Sequence, residues 1–103
     1  MSTKKSAALK FLEDISGGPL TLGALLESIR KGEETSQMEF AALLKISKSH
    51  LCDIEKGRKY VTPERAARFA KLLGYSAELF VRLSLQEQVD KAGLKYNIKL
   101  EIA

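Results

Sequence analysis

The segment between Lys45 and Lys59 combines residue types and spacings that suit the recognition of duplex DNA. Leu51 and Ile54 lie three residues apart and share one face of a predicted helix. A short helix that is apolar inside and polar and basic outside fits the major groove, which is wide enough to admit one helix. The side chains expected on the other faces are Lys48, Ser49, Cys52, Asp53 and Lys56.

The start of this helix carries the residues expected to reach the bases. Lys48 and Ser49 are its first exposed residues, and Ser47 precedes them. Lys48 could donate to O6 and N7 of guanine, or equally hold a phosphate. Asp53 lies one turn later on the same side and could accept from the amino group of cytosine or repel unwanted phosphates. We predict that all four residues belong to a DNA-binding site.

A basic cluster follows at the end of the helix, formed by Lys56, Arg58 and Lys59. Such a cluster is usually a solvated face, but beside this helix it predicts a clamp on the DNA backbone. His50 is expected to be a neutral donor on the phosphate side rather than a metal ligand. Affinity supplied by this cluster should be independent of sequence and should fall as salt rises.

Catalysis and metal binding find little support in the sequence. The single His and the single Cys, His50 and Cys52, are two residues apart on a helix and do not face each other. No glycine-rich phosphate loop, metal-ligand cluster or convergent acid–base pair occurs. We therefore expect no enzyme, no cofactor and no metal. Cys52 is expected to be an inert filler, with a redox sensor as the alternative.

Length and composition predict one small globular domain. The chain has 103 residues, of which 45% are hydrophobic and 29% charged, and this argues against wholesale disorder. A net charge of +4 permits a polyanionic partner without demanding one. The first ten residues are too polar for a signal peptide, and no apolar run approaches the ~20 residues of a membrane span. A single cysteine suits a reducing compartment. Together these observations predict a cytoplasmic protein.

Helical periodicity runs to about Gly93 and predicts an all-α fold of five helices with an extra helix before them. The extra helix, with Ala8, Phe11, Leu12 and Ile15 on one face, forms a predicted extension over residues 1–18 that ends at Gly17-Gly18-Pro19. The predicted domain spans residues 19–93.

Hydroxyl residues at regular intervals predict where the helices of the domain begin. Thr21 precedes the apolar stripe Leu22, Leu25, Leu26 and Ile29. Ser36 with Glu39 is a capping box that opens a helix from Gln37 to Leu44. Ser47 can cap the next helix, which ends before Gly57. Thr62-Pro63-Glu64 begins a helix that ends at Gly74, and Ser76 begins the last one.

The tail, residues 94–103, shows a different pattern. Apolar residues alternate with polar ones from Tyr96 to Ile102, which predicts a half-buried strand with no second strand to pair with. We expect it to pair antiparallel with the strand of a second copy and form a homodimer. It could instead join the sheet of a different protein. The residues assigned to dimerisation are Leu79, Phe80, Leu83, Tyr96, Ile98, Leu100 and Ile102.

The stretch SQMEFAALLKISKSHLCDIEKGRKYVTPE resembles the helix-turn-helix of the phage repressor and Cro class, the XRE family. The resemblance rests on Ser36, Gln37, Ala41, Ser47, Leu51, Ile54, Glu55 and Gly57 and extends from about Leu22 to Leu79. It implies a sequence-specific transcriptional regulator, most often a repressor, that binds an operator as a homodimer. It also implies that Gln37 grips a phosphate oxygen, against the simpler reading of a solvated glutamine.

Two further expectations follow from this resemblance. The turn of the family carries Gly where this chain has Lys45, so Lys45 is expected to adopt a positive φ. Arg30 and Glu55 border the buried stripes of their helices, where an unpaired charge would be costly. In the family the residues at these positions pair across two helices, which implies a partly buried salt bridge here.

A second function is compatible with the same resemblance. Short repressor-like chains with an extra N-terminal helix and a C-terminal tail resemble antitoxins, which repress their own operon and mask a toxin. The apolar face of the first helix could dock such a partner or pack on its own domain. An adaptor that has lost DNA binding is a third alternative, and it predicts no salt-sensitive DNA affinity.

Overall fold

A computed structural model describes residues 20–103 of the chain. Over this range it contains five helices and no strand, in agreement with the all-α prediction. The helices are α1 (Leu22–Gly32), α2 (Gln37–Leu44), α3 (Lys48–Glu55), α4 (Pro63–Leu73) and α5 (Ala77–Lys91). The predicted extension over residues 1–18 lies outside the described residues.

All five helices begin after a Ser or Thr whose hydroxyl accepts a hydrogen bond from a backbone amide in the first turn. At the start of α2, Ser36 Oγ accepts from the amide of Glu39 at 3.1 Å and donates to the Glu39 carboxylate at 3.0 Å. Thus the hydroxyl residues fix the helix starts that the sequence predicts. The capping residues are Thr21, Ser36, Ser47, Thr62 and Ser76.

The core lies between α4 and α5 on one side and α1, α2 and α3 on the other. α4 packs chiefly on α5, while α3 packs against both α1 and α2. Burial of large apolar side chains in one continuous cluster is the main stabilising contribution to this arrangement. The largest fully buried side chains are Phe40, Phe69, Phe80, Leu22, Leu26, Leu44, Leu51 and Ile54.

The turn between α2 and α3 is tight because Lys45 adopts the left-handed conformation, with φ 60° and ψ 41°. Its amide donates to the carbonyl of Ala42 at 3.1 Å, and the amide of Ile46 donates to that of Ala41 at 3.0 Å. These two bonds terminate α2 as a Schellman motif, which ordinarily uses glycine at this position. The positive φ expected for Lys45 is therefore present.

A close approach of α1 to α3 occurs at Gly23. A Cβ atom added to this buried residue would collide with the backbone carbonyl of Ile54, near the end of α3. No side chain therefore fits at this crossing unless the helices move apart. Sequence reasoning did not single out Gly23, although an isolated glycine inside an apolar helical pattern often has such a packing reason.

The prediction of a C-terminal strand is wrong for this chain. Residues 94–103 form no regular secondary structure, and the side chain of Gln86 on α5 holds their backbone. Gln86 Nε2 donates to the carbonyl of Tyr96, and Gln86 Oε1 accepts from the amide of Ile98, both at 2.7 Å. A strand needs a neighbouring strand for its backbone groups, and the alternating pattern supplies none within one chain.

No helix of the described residues is long and apolar enough to cross a lipid bilayer.

Candidate nucleic-acid interface

Helix α3 presents a polar face to the surface of the domain. Leu51 and Ile54 are buried against α1 and α2, whereas Lys48 and Ser49 at the start of the helix are exposed. A shallow surface depression of about 400 Å³ lies along this face. Its lining brings together Gln37, Lys48, Ser49, Cys52, Asp53 and Arg58. Because it is open and lined mostly by residues with polar or charged groups, this surface can receive a large hydrophilic ligand.

A buried carboxylate fixes α3 to the two helices before it. Arg30 of α1 donates to both oxygens of Glu55, with Nε at 2.8 Å from Oε2 and Nη2 at 3.0 Å from Oε1. Gln37 of α2 adds a bond from Nε2 to Oε1 at 3.0 Å. The Glu55 side chain is 0% exposed, so three donors compensate for its loss of water. The ion pair that the resemblance implied is therefore present.

Electrostatics favour the charged form of this pair. Burial on its own would raise the pKa of Glu55, but the hydrogen bonds from Arg30 and Gln37 outweigh it and hold the pKa below its usual value. The bond to Glu55 likewise raises the pKa of Arg30. Glu55 is therefore a charged residue at neutral pH that joins α1, α2 and α3.

Gln37 has two roles in the structure, of which the sequence predicted only the surface one. Its side chain lies at the rim of the surface depression, as a phosphate contact would require. Its amide nitrogen, however, donates to Glu55, a contact that could not be predicted from the sequence. Gln37 therefore links the buried ion pair to the surface beside Lys48 and Ser49.

Asp53 is engaged with two cations of the following loop. Its Oδ1 accepts from Arg58 Nε at 2.9 Å, and its Oδ2 lies 3.6 Å from Lys59 Nζ. The hydrogen bond from Arg58 is the main cause of a lowered pKa at Asp53. The carboxylate that was expected to accept from cytosine thus already has two cationic partners. Of the pair, the Arg58 side chain is more exposed than that of Asp53.

The other predicted contacts, Ser47, His50 and Lys56, do not line the depression. Ser47 is exposed, and its hydroxyl accepts from the amide of His50 at 3.0 Å. His50 is half-buried, and its Nε2 is 3.4 Å from Arg65 Nη1. Burial first, and then the charges of Arg65 and Lys59, lower the pKa of His50, so the neutral form is favoured at pH 7. Lys56 is exposed.

A serine of α5 anchors the loop that follows this face. Ser84 is buried, and its hydroxyl donates to the carbonyl of Val61 at 2.6 Å. This bond ties the segment leaving α3 to the last helix. Sequence reasoning missed it, although a serine four residues after the buried Phe80 was an available signal.

Two residues assigned to dimerisation have a different location. Phe80 and Leu83 are buried in the core of their own domain, so they offer no surface to a partner, and that part of the assignment is corrected. Leu79 is half-buried and packs against the core. In the tail, Tyr96 is 67% exposed and Ile102 91% exposed, with Ile98 and Leu100 partly covered.

Within the part of the chain that the structure describes, no group of three or more His, Cys, Asp or Glu side chains is placed to hold a metal ion.

Five helices in the described residues, the third of which follows a tight three-residue turn and presents polar residues at the surface, define a helix-turn-helix protein. Residues 21–83 match the family model described as a helix-turn-helix domain, and the chain belongs to that family. The match supports a function as a DNA-binding regulator. Proteins with this fold are typically not enzymes. No curated protein and no solved structure shows significant similarity to the chain.

Proposed function

We propose that this protein is a sequence-specific transcriptional regulator of the XRE class that binds duplex DNA and acts as a repressor. The observation that carries the proposal is the outward face of α3, where Lys48 and Ser49 are exposed at the start of the helix while Glu55 at its end is locked to Arg30. A helix held this rigidly can enter the major groove without losing further conformational freedom.

The residues on and beside α3 have distinct roles in this proposal. Lys48 and Ser49 contact base edges, and Ser47 lies beside the backbone at the start of the helix. Gln37, His50, Lys56 and Lys59 face phosphates, which position the helix in the groove. Repression follows from occupancy, because a protein bound across a promoter excludes other proteins from it.

The test is selection of bound sequences from random duplexes, followed by affinity measurements by fluorescence anisotropy. Lys48→Ala and Ser49→Ala are expected to weaken binding to the selected duplex by about 5- to 150-fold and to relax its sequence preference. Lys71→Ala, an exposed lysine at the end of α4, is the charge-matched control and should bind almost normally. A wild-type chain without salt-sensitive duplex binding would overturn the proposal.

We also propose that the protein binds its operator as a homodimer. One helix covers few base pairs, whereas a two-fold dimer reads two half-sites about 34 Å apart. The tail offers the apolar surface: Tyr96 and Ile102 are exposed, and Leu100 and Ile102 border a cleft of about 260 Å³ on the first turns of α5. A second copy that covers this cleft and tail would remove both from water.

Sedimentation of the full chain and of a chain ending at Gly93 tests this assembly. The full chain should be a dimer and the shortened chain a monomer, with Lys99→Ala as a control that leaves the dimer intact. A dimer that survives loss of residues 94–103 would contradict the role of the tail. A full chain that remains monomeric would instead favour the antitoxin alternative, in which the tail covers a different protein.

A further inference from the structure

Arg58 lies beyond the end of α3, yet its side chain returns across the outward face of that helix. The amides of Arg58 and Lys59 both donate to the carbonyl of Asp53, at 2.8 and 3.2 Å, and fold the loop back. Arg58 Nε then donates to Asp53 Oδ1 at 2.9 Å, and Nη2 lies 3.7 Å from Cys52 Sγ. The guanidinium is thus held on the same surface as Lys48 and Ser49.

The cation is the more accessible partner of this pair. The Arg58 side chain is 57% exposed and the Asp53 side chain 27%. Arginine has five N–H donors, and Nε and Nη2 are the groups with partners here, so the outer edge of the fork keeps donors for a ligand. A molecule that approaches this turn of α3 therefore meets the guanidinium of Arg58 before the carboxylate of Asp53.

We propose that Arg58 reads a guanine in the major groove and that Asp53 is its positioning residue. This inference rests on the proposed function in DNA binding. Guanine presents O6 and N7 as two adjacent acceptors, which match the planar fork of an arginine. A guanidinium already fixed by a carboxylate loses less side-chain freedom when it makes these two bonds.

A phosphate contact fits the same geometry less well. A phosphate placed beside Arg58 would also lie near the carboxylate of Asp53, which would weaken the attraction of the guanidinium for it. The edge of guanine is uncharged, so the nearby carboxylate affects it less. The arrangement also differs from a direct contact between Asp53 and cytosine, because the carboxylate is engaged with cations on both oxygens.

The experiment compares Arg58→Ala and Arg58→Lys with wild type on duplexes in which each position of the selected site is replaced in turn. Loss of preference for one guanine per half-site, by about 5- to 150-fold, is expected for Arg58→Ala, and Arg58→Lys, which lacks the planar fork, should recover that preference only in part. Lysine keeps the charge, so it would restore binding if Arg58 held a phosphate. A loss that is uniform across sequences, with the salt dependence reduced by about one ion, would overturn the proposal.

The neighbouring cation supplies the matched control. Lys59→Ala removes one charge from the same loop and from the same carboxylate, and it should weaken all duplexes alike. A guanine preference that vanishes in Lys59→Ala as well would show that charge alone matters and would overturn the role of Arg58.

The role of Asp53 is tested by combining variants. Asp53→Ala should weaken the guanine preference in the wild-type background and change nothing further in the Arg58→Ala background. A separate change in cytosine preference in that second background would show direct reading by Asp53. If Lys48→Ala weakens binding while all Arg58 and Asp53 variants keep the wild-type preference, this inference fails and the proposed function stands. Absence of DNA binding by wild type would overturn both.

Discussion

Arg30 and Glu55 are joined by two hydrogen bonds, of 2.8 and 3.0 Å, although 25 residues separate them in the chain. The pair crosses from α1 to α3, and Gln37 of α2 donates to the same carboxylate. Three helices therefore converge on one buried acceptor. The position of α3 against the rest of the domain, and with it the direction of its polar face, depends on this contact.

We predict that Glu55→Ala destabilises the domain by about 3–5 kcal/mol, because it leaves the partly buried guanidinium of Arg30 without its partner. Urea unfolding followed by circular dichroism measures this change. Glu101→Ala, which removes an exposed carboxylate from the tail, is the control and should alter stability by less than about 0.5 kcal/mol. A Glu55→Ala variant as stable as this control would show that the pair adds nothing to stability.

The same contact predicts a dependence of stability on pH. The pKa of Glu55 is lower in the folded protein than in the unfolded chain, where it is about 4.3. The charged form of Glu55 therefore contributes its full stabilisation above the pKa of the unfolded chain. This contribution is lost as the pH falls through the lower pKa of Glu55 in the folded protein. Glu55→Gln, which cannot titrate, provides the reference.

The stability of wild type relative to Glu55→Gln should thus be constant near pH 7 and should decrease between about pH 5 and pH 3. Urea unfolding of both proteins across this range tests the expectation. Other carboxylates titrate in both proteins and cancel in the difference. A difference that stays constant down to pH 3 would contradict a lowered pKa at Glu55.

Packing between helix backbones gives a third prediction. Gly23→Ala should destabilise the domain by about 1–3 kcal/mol, since the new Cβ collides with the carbonyl of Ile54 and must push α1 away from α3. Alanine would otherwise favour a helix by about 1 kcal/mol over glycine. Thermal unfolding measures the effect, and a lowered DNA affinity at temperatures where the variant is folded would report the displacement of α3.

The control for this substitution lies in the same helix. A Cβ added at Gly32 has no neighbour within 4 Å, so Gly32→Ala should be neutral or stabilising by up to about 1 kcal/mol. Equal effects at Gly23 and Gly32 would mean that the crossing can relax at no cost.

Features of the fold that depend on local chemistry could be predicted from the sequence. Hydroxyl residues such as Ser36 and Ser47 determine where helices begin, because they satisfy amides only a few positions away. The left-handed turn at Lys45 was predictable for a different reason, the resemblance to a family that has glycine at this position.

Contacts between elements were predicted less well. The collision at Gly23 depends on how closely two helices cross, and the bond from Gln37 to Glu55 depends on how α2 meets α3. The return of Arg58 onto Asp53 depends on the path of the loop. The tail alternates apolar and polar residues, but Tyr96 and Ile102 are exposed, and a strand needs a partner that one chain does not supply.

The turn at Lys45 provides the last prediction. A residue with a side chain at φ 60° is strained, and glycine adopts this conformation freely. Lys45→Gly should therefore stabilise the domain by about 1 kcal/mol, although part of the gain is offset by the greater freedom of glycine in the unfolded chain. Lys45→Ala removes the same charge and side chain but keeps the strain, so it should be close to wild type. If both variants unfold at the same urea concentration, the left-handed conformation of Lys45 contributes no strain to this turn.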